Sequence, residues 1–229
     1  MGSLYLVRHG QAHASAYGVS DAAGGDELDG EAAGALTPTG QMQAGVTGTV
    51  LSGLVPSFTN AISGGLLRQR QTLAGVIGAF DEQPSAVVDE GWDEYDLAGL
   101  MNAPTAAEYA DGRNFQQSLD AMLDDWITGE LDAAEPFEEY ARRVAAAGQR
   151  AVDEAGSGRN VLVVSSAGTI TLWLAQHLGL DSRHWPRLSA TMMNASITRC
   201  IVGRKGVTIV SINEHLHLSD LNGGIATFR

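Results

Sequence analysis

The sequence predicts an α/β protein, a three-layer sandwich with a mostly parallel central sheet, helices on both faces and a small helical cap. Three observations carry that expectation. Short apolar runs of strand length recur along the chain, and helical patterns lie between them. A length of 229 residues with a hydrophobic share of 44% suits one domain with a substantial core. No linker or internal repeat divides the chain, so a single domain is expected over 1–229, with a cap insertion at about 100–155.

The first strand is expected at Leu4–Val7, a β-favouring run that ends in Arg8-His9-Gly10-Gln11. Ala16 to Ala35, rich in Gly, Ala and acids, reads as a mobile acidic loop. Met42, Val46, Val50 and Leu54 recur every four residues after Thr39-Gly40 and predict a helix with one apolar face. A second strand at Thr59–Ser63 leads into a helix over Leu67 to Ala79. The helical stretch from Asn102 to Gly156 carries Trp126, Phe137, Tyr140 and Val144 and is expected to cap one end of the sheet. A third strand, Val161–Ser165, precedes a helix over Thr169 to Leu178. Ser196–Val202 and Val207–Ile212 flank Gly203-Arg204-Lys205-Gly206 and read as a hairpin. Cys200, alone of its kind, is expected to be a small buried hydrophobe.

A formal charge of −13 with no run of Lys or Arg argues against nucleic acid and anionic membranes as partners. No basic-then-apolar leader opens the sequence, and no apolar stretch approaches the roughly 18 residues of a membrane span, so a cytoplasmic protein is expected.

Three strand-to-helix loops carry phosphate-binding chemistry. In open α/β sheets, ligands bind outside the carboxyl ends of the strands. Arg8 offers a fixed fork of donors, His9 can act as nucleophile or proton carrier, and Gly10 permits close backbone approach. Ser63 through Thr72 forms the second loop, with Arg68 in the first turn of a helix, where free N–H groups and the helix dipole favour an anion. Arg70 reads as a residue of the solvated helix face. Ser165-Ser166-Ala167-Gly168-Thr169 forms the third loop. It fits an anion cradle and equally an ordinary N-cap turn.

These pieces, with Leu36-Thr37-Pro38-Thr39-Gly40, Gln43-Ala44, Glu94-Tyr95-Asp96, Asn194 through Thr198, Asn213 and His217-Leu218, occur in order over nearly the whole chain. Together they resemble the histidine phosphatase superfamily, the phosphoglycerate mutase-like fold. The resemblance implies that His9 takes up the phosphoryl group, that Arg8, Arg68 and Gln11 hold its oxygens, and that Glu94 is the general acid and base. Glu94 has rivals within Asp89 to Asp96, Glu90 nearest. For the rest of that run a solvated acidic loop is expected. Two guanidinium groups suffice for the transferring oxygens, so no metal and no other cofactor is expected. His215-x-His217 lacks accompanying ligand spacing and reads as packing. His13, His177 and His184 read as surface or structural residues.

The sequence departs from the family at one point. Where the family commonly carries a second histidine in the third loop, this chain has Ser166, placed with the phosphate-binding residues but bringing no positive charge. Loss of one such donor costs on the order of 100- to 1000-fold in rate. His13 or a histidine of 215–217 is the candidate replacement. The implied activity is metal-independent hydrolysis of a small phosphorylated substrate through phospho-His9. Other readings are a phosphate-binding or regulatory module with little turnover, a mutase-type phosphotransferase, and a hydrolase built on Ser166 with Asp181 and His215 or His217. Substrate identity and oligomeric state do not follow from the sequence.

Overall fold

The structure, a computed structural model, describes residues 1–19, 34–101, 104–219 and 224–228. Six strands form one mixed sheet: β1 (Gly2–Arg8), β2 (Asn60–Ser63), β3 (Ser85–Val88), β4 (Asn160–Ser165), β5 (Ile197–Gly203) and β6 (Gly206–Glu214). Their order is β3-β2-β4-β1-β5-β6. The first four run parallel, while β5 is antiparallel to β1 and pairs with β6. The hairpin expected at Gly203–Gly206 is present, with Gly206 at φ 104°, in the region that favours glycine.

Central strands of such a sheet are covered on both faces, which explains their unbroken apolar runs. Successive residues of β1 go to opposite cores. Leu4 and Leu6 pack with Val161 and Val163 on one face, and Tyr5 and Val7 pack with Leu162 and Val164 on the other. The first face is covered by α6 (Phe137–Glu154) and α7 (Ala167–Leu178), through Tyr140, Val144, Ala151, Ile170 and Trp173. The second is covered by α1 (Pro38–Leu54) and α2 (Leu67–Ile77), through Leu51, Leu73 and Val76. This is the three-layer arrangement the sequence predicts.

β3 lies outside the expected strands. It is an edge strand, exposed throughout, with Val87 51% accessible, so it leaves no burial pattern in the sequence.

The α1 helix exists, capped by the Thr37 hydroxyl with Pro38 at its start, but it buries a different face from the one expected. Met42 and Leu54 are 53% and 67% exposed, and the inward residues are Gly40, Gln43, Ala44, Thr47, Gly48 and Leu51. The inward face is small and polar because α1 lies against α2 and the loops around His9. A Cβ at Gly48 would meet the Val76 carbonyl at 2.5 Å. Gln43 accepts from the Gln11 N–H (2.8 Å), and the Thr47 hydroxyl donates to the Ala195 carbonyl (2.9 Å).

Between β3 and α6 lie α3 (Leu97–Met101), α4 (Ala106–Ala110) and α5 (Gly112–Thr128). Within the stretch expected as a cap, α6 packs along α7 and β4, while α4 and α5 border the cavity described below. A short helix, α8 (Trp185–Ser189), follows α7. Of the expected acidic loop, Ala14–Tyr17 forms a single 3-10 turn, and residues 20–33 lie outside the described residues. Cys200 is buried in β5, and burial pushes its thiol up to about 12. Among the described residues no helix is long and apolar enough to cross a membrane.

Candidate active site

Because β1, β2 and β4 are parallel and in register, Arg8, Ser63 and Ser165 end at one rim of the sheet. The chain just beyond that rim is tied down by backbone bonds. His9 N–H donates to the Ser165 carbonyl (2.8 Å), and the His9 carbonyl accepts from Asn194 Nδ2 and Ala195 N–H, both at 3.2 Å. Gly10 N–H donates to the Thr72 hydroxyl (3.0 Å). Gly10 must be glycine for α1 to sit this close, since a Cβ would lie 2.5 Å from the Gly40 carbonyl oxygen.

His9 is 1% exposed. Its Nδ1 lies 2.8 Å from the Gly10 carbonyl, which cannot donate, so Nδ1 carries the proton and Nε2 carries a lone pair. Arg68 Nε donates toward that lone pair at 3.3 Å. Burial, then the Arg68 and Arg8 guanidinium groups, hold the imidazole well below its ordinary value of 6.5. At neutral pH His9 is therefore an uncharged imidazole with its nucleophilic nitrogen turned to a cation.

Arg68 stands in the first turn of α2, 6% exposed, its Nη1 donating to the Ala16 carbonyl (3.2 Å) and its guanidinium 5.4 Å from the Tyr17 ring centre. Arg8, equally buried, donates through Nη1 to the Met192 carbonyl, and its Nε has no partner among the described residues. A buried guanidinium N–H without a partner is a donor held ready for an anion. Both arginines line a cavity of about 330 Å³, as does Glu94. Arg70, by contrast, is exposed, as the sequence reading expects.

Glu94 separates from its rivals by position. Its Oε2 accepts from Gly168 N–H at the start of α7 (2.9 Å), and its Oε1 accepts from the Tyr140 hydroxyl (2.9 Å) with Thr169 Oγ1 at 3.3 Å. A Cβ on residue 168 would come within 2.4 Å of Oε1, so this approach requires Gly168. Asp89 is paired with Arg150, and Asp93 accepts from the Gly65 and Leu66 N–H groups. Neither these two nor Glu90 lines the cavity, whereas Asp96, which caps α3 through Gly99 N–H, does. Burial raises the Asp93 carboxyl above its usual range.

Ser166 is fully buried and does not line the cavity. Its hydroxyl accepts from Gln69 Nε2 (3.0 Å). Gln69 also donates to the Trp92 carbonyl and accepts from Leu66 N–H, so it ties the second loop to the third and to the segment after β3. The Gln11 side-chain oxygen accepts from the Thr37 hydroxyl (2.8 Å), leaving its NH₂ as the donor end. His13, His215 and His217 do not line the cavity, and His9 and Gln11 do not line it either. His215 Nδ1 bonds the Asn213 carbonyl, and His217 Nε2 lies 2.9 Å from the Thr47 hydroxyl. Among the described residues the hydrogen-bond partner of the Ser166 hydroxyl is the Gln69 amide.

Three residues of this arrangement had no individual role in the sequence reading: Gln69 and Thr169, which fall within the second and third loops, and Tyr140 of the expected cap. Burial raises the Tyr140 hydroxyl well above its ordinary range, so it remains a donor to Glu94 at neutral pH.

The model of the histidine phosphatase superfamily (branch 1) matches residues 4–215. Comparison with curated proteins gives no match. Among solved structures, a phosphoserine phosphatase mutant from Entamoeba histolytica in complex with phosphoserine is 19% identical with a TM-score of 0.66, covering 96% of this chain and 100% of its own. The mycobacterial glucosyl-3-phosphoglycerate phosphatase bound to VO3 is 22% identical with a TM-score of 0.66, over 93% and 100%. The alpha-ribazole phosphatase from Shigella flexneri is 20% identical with a TM-score of 0.62, over 93% and 96%.

Proposed function

Since the chain belongs to the histidine phosphatase superfamily, branch 1, we propose that it hydrolyses phosphate monoesters through a covalent phosphohistidine on His9. The observation that carries this reading is the neutral, buried imidazole, with Nδ1–H bonded to the Gly10 carbonyl and Nε2 3.3 Å from Arg68 Nε. Nε2 forms the bond to phosphorus as the ester P–O bond breaks, and the electron pair leaves on the ester oxygen. The Gly10 carbonyl then stabilises the positive charge the ring acquires. Arg8 and Arg68 neutralise the equatorial oxygens, and Gln11 offers its NH₂. Glu94 gives a proton to the leaving oxygen. It then takes one from water as the water oxygen displaces Nε2, which frees inorganic phosphate and restores His9.

The test is phosphate release in EDTA by the native chain and by His9→Ala. Turnover that survives the chelator and falls at least about 1000-fold in the variant is the expected result. Turnover retained by His9→Ala would sink the mechanism. A second reading, a phosphate-binding module with little turnover, is favoured by Ser166, sealed under Gln69 where the family carries a cationic donor. Vanadate binding with no hydrolysis of any substrate would select it. Absence of a membrane-spanning helix among the described residues and an excess of acids fit a small phosphorylated substrate better than a phosphorylated membrane or nucleic acid.

A further inference from the structure

The cavity that reaches Arg8, Arg68 and Glu94 extends away from them between the Ala14–Tyr17 turn, the loop after β3, and helices α4 and α5. Its wall is largely apolar and rich in rings: Tyr17 beside Arg68, and then Leu97, Tyr109, Phe115, Leu119 and Leu123. The rings are already organised. Tyr17 stacks on Tyr109 at 6.1 Å and 18°, and Tyr109 meets Phe115 edge-on at 5.2 Å. Charge is distributed with equal clarity. Among the described residues Arg8 and Arg68 are the cations of the lining, both at the phosphate end, and the other charged groups there are the carboxylates of Glu94 and Asp96.

From this arrangement, and resting on the phosphatase reading above, we propose that the substrate is a phosphate monoester of a bulky, uncharged, ring-bearing alcohol rather than of a hydroxy acid. The phosphate occupies both arginines. A second anionic group on the alcohol would meet carboxylates and apolar rings with no cation to pair, which leaves a desolvated charge uncompensated. An apolar ring would bury its surface against Tyr17, Tyr109 and Phe115, in a cavity of about 330 Å³, within the size range of small-ligand sites. The class thus differs from that of the phosphoserine-bound relative, where the alcohol carries a carboxylate.

The experiment compares kcat/KM for 2-phenylethyl phosphate, ethyl phosphate and O-phosphoserine, all primary alkyl esters, of which phosphoserine has the better leaving group and so works against the expected order. Phenylethyl phosphate is expected to exceed both by at least about tenfold, in line with what apolar pockets discriminate. Tyr109→Ala should cut the phenylethyl-to-ethyl ratio about tenfold. Gln116→Arg, on a partly exposed part of the cavity wall in α5, should raise kcat/KM for phosphoserine by bringing in the missing cation. Phosphoserine turned over as well as phenylethyl phosphate, in a His9-dependent manner, would overturn the substrate class while leaving the phosphatase reading intact. Should no ester be hydrolysed, the phosphatase reading fails and calorimetry with non-hydrolysable analogues decides the pocket. Tighter binding of 3-phenylpropylphosphonate than of 2-amino-4-phosphonobutyrate supports it, and equal or reversed affinities overturn it.

Discussion

The two ends of the cavity are built on opposite principles. At the phosphate end His9 and both arginines are polar, buried and fixed by at least one bond to backbone: Arg8 to Met192, His9 to Gly10 and Ser165, Arg68 to Ala16. These residues stand on the sheet rim or in the first turn of α2, where strand register and helix geometry set their positions. At the far end the residues are rings and aliphatic side chains drawn from the 3-10 turn and from α4 and α5, outside the sheet layers. Chemistry that needs fixed donors sits on rigid elements, and recognition of the alcohol is left to segments that can change without disturbing it. The difference implies that the two ends can be broken separately.

The largest expected effect comes from the phosphate end. Arg68→Lys keeps the charge but loses the Nε donor that faces His9 and the planar fork. A drop in kcat/KM of about 100- to 1000-fold is expected, the same for every alcohol. A loss confined to bulky substrates would place Arg68 with the far wall and break the comparison.

Tyr140→Phe should act at the join between the two ends. Tyr140 touches no substrate in this arrangement. It is a positioning residue, donating to Glu94 Oε1 at 2.9 Å from the interior of α6. Removing one hydrogen bond to a charged group costs about 1.5–3 kcal/mol at the most, so kcat is expected to fall about tenfold. The readout that separates positioning from mere packing is leaving-group dependence. The deficit should be large for alkyl phosphates, whose oxygen needs the Glu94 proton, and small for p-nitrophenyl phosphate, whose oxygen does not. An equal deficit for both would assign Tyr140 to the fold alone.

How much of this was legible in the sequence follows the same division. Arg8, His9 and Arg68 announce themselves because each follows a strand of recognisable pattern, and the parallel register then does the assembling. Glu94 was one carboxylate among several until Gly168 N–H and Tyr140 were seen to hold it. The roles of Gln69 and Tyr140 were invisible, since a buried polar side chain on a helix looks like any other until its partner in another loop is known. The inward face of α1 was misread for a related reason: hydrogen bonds from Gln43 and Thr47, and close contact at Gly48, replace the apolar stripe that periodicity searches for. The ring-lined end has no motif, because a wall assembled from residues 17, 97, 109, 115 and 119 is a property of packing.

The smallest effect expected is one of stability, and it tests whether the phosphate end stores charge in waiting for its ligand. Folded His9 holds its proton far more weakly than an unfolded histidine, through burial and the two arginines. Below pH 6.5 the unfolded chain therefore binds a proton that the folded chain refuses, and stability falls as pH drops from there toward the folded value. Above pH 6.5 neither state is protonated and His9 contributes no pH dependence. His9→Asn removes the titrating group, so melting temperatures of variant and native chain, measured without phosphate, should run parallel above pH 6.5. Below it they should diverge, with the variant falling less steeply. Phosphate added at saturation stabilises the native fold by binding it alone and should raise the native curve throughout. Curves that stay parallel down to pH 5 would mean that His9 titrates normally in the fold. The neutral nucleophile on which the contrast between the two ends depends would then be lost.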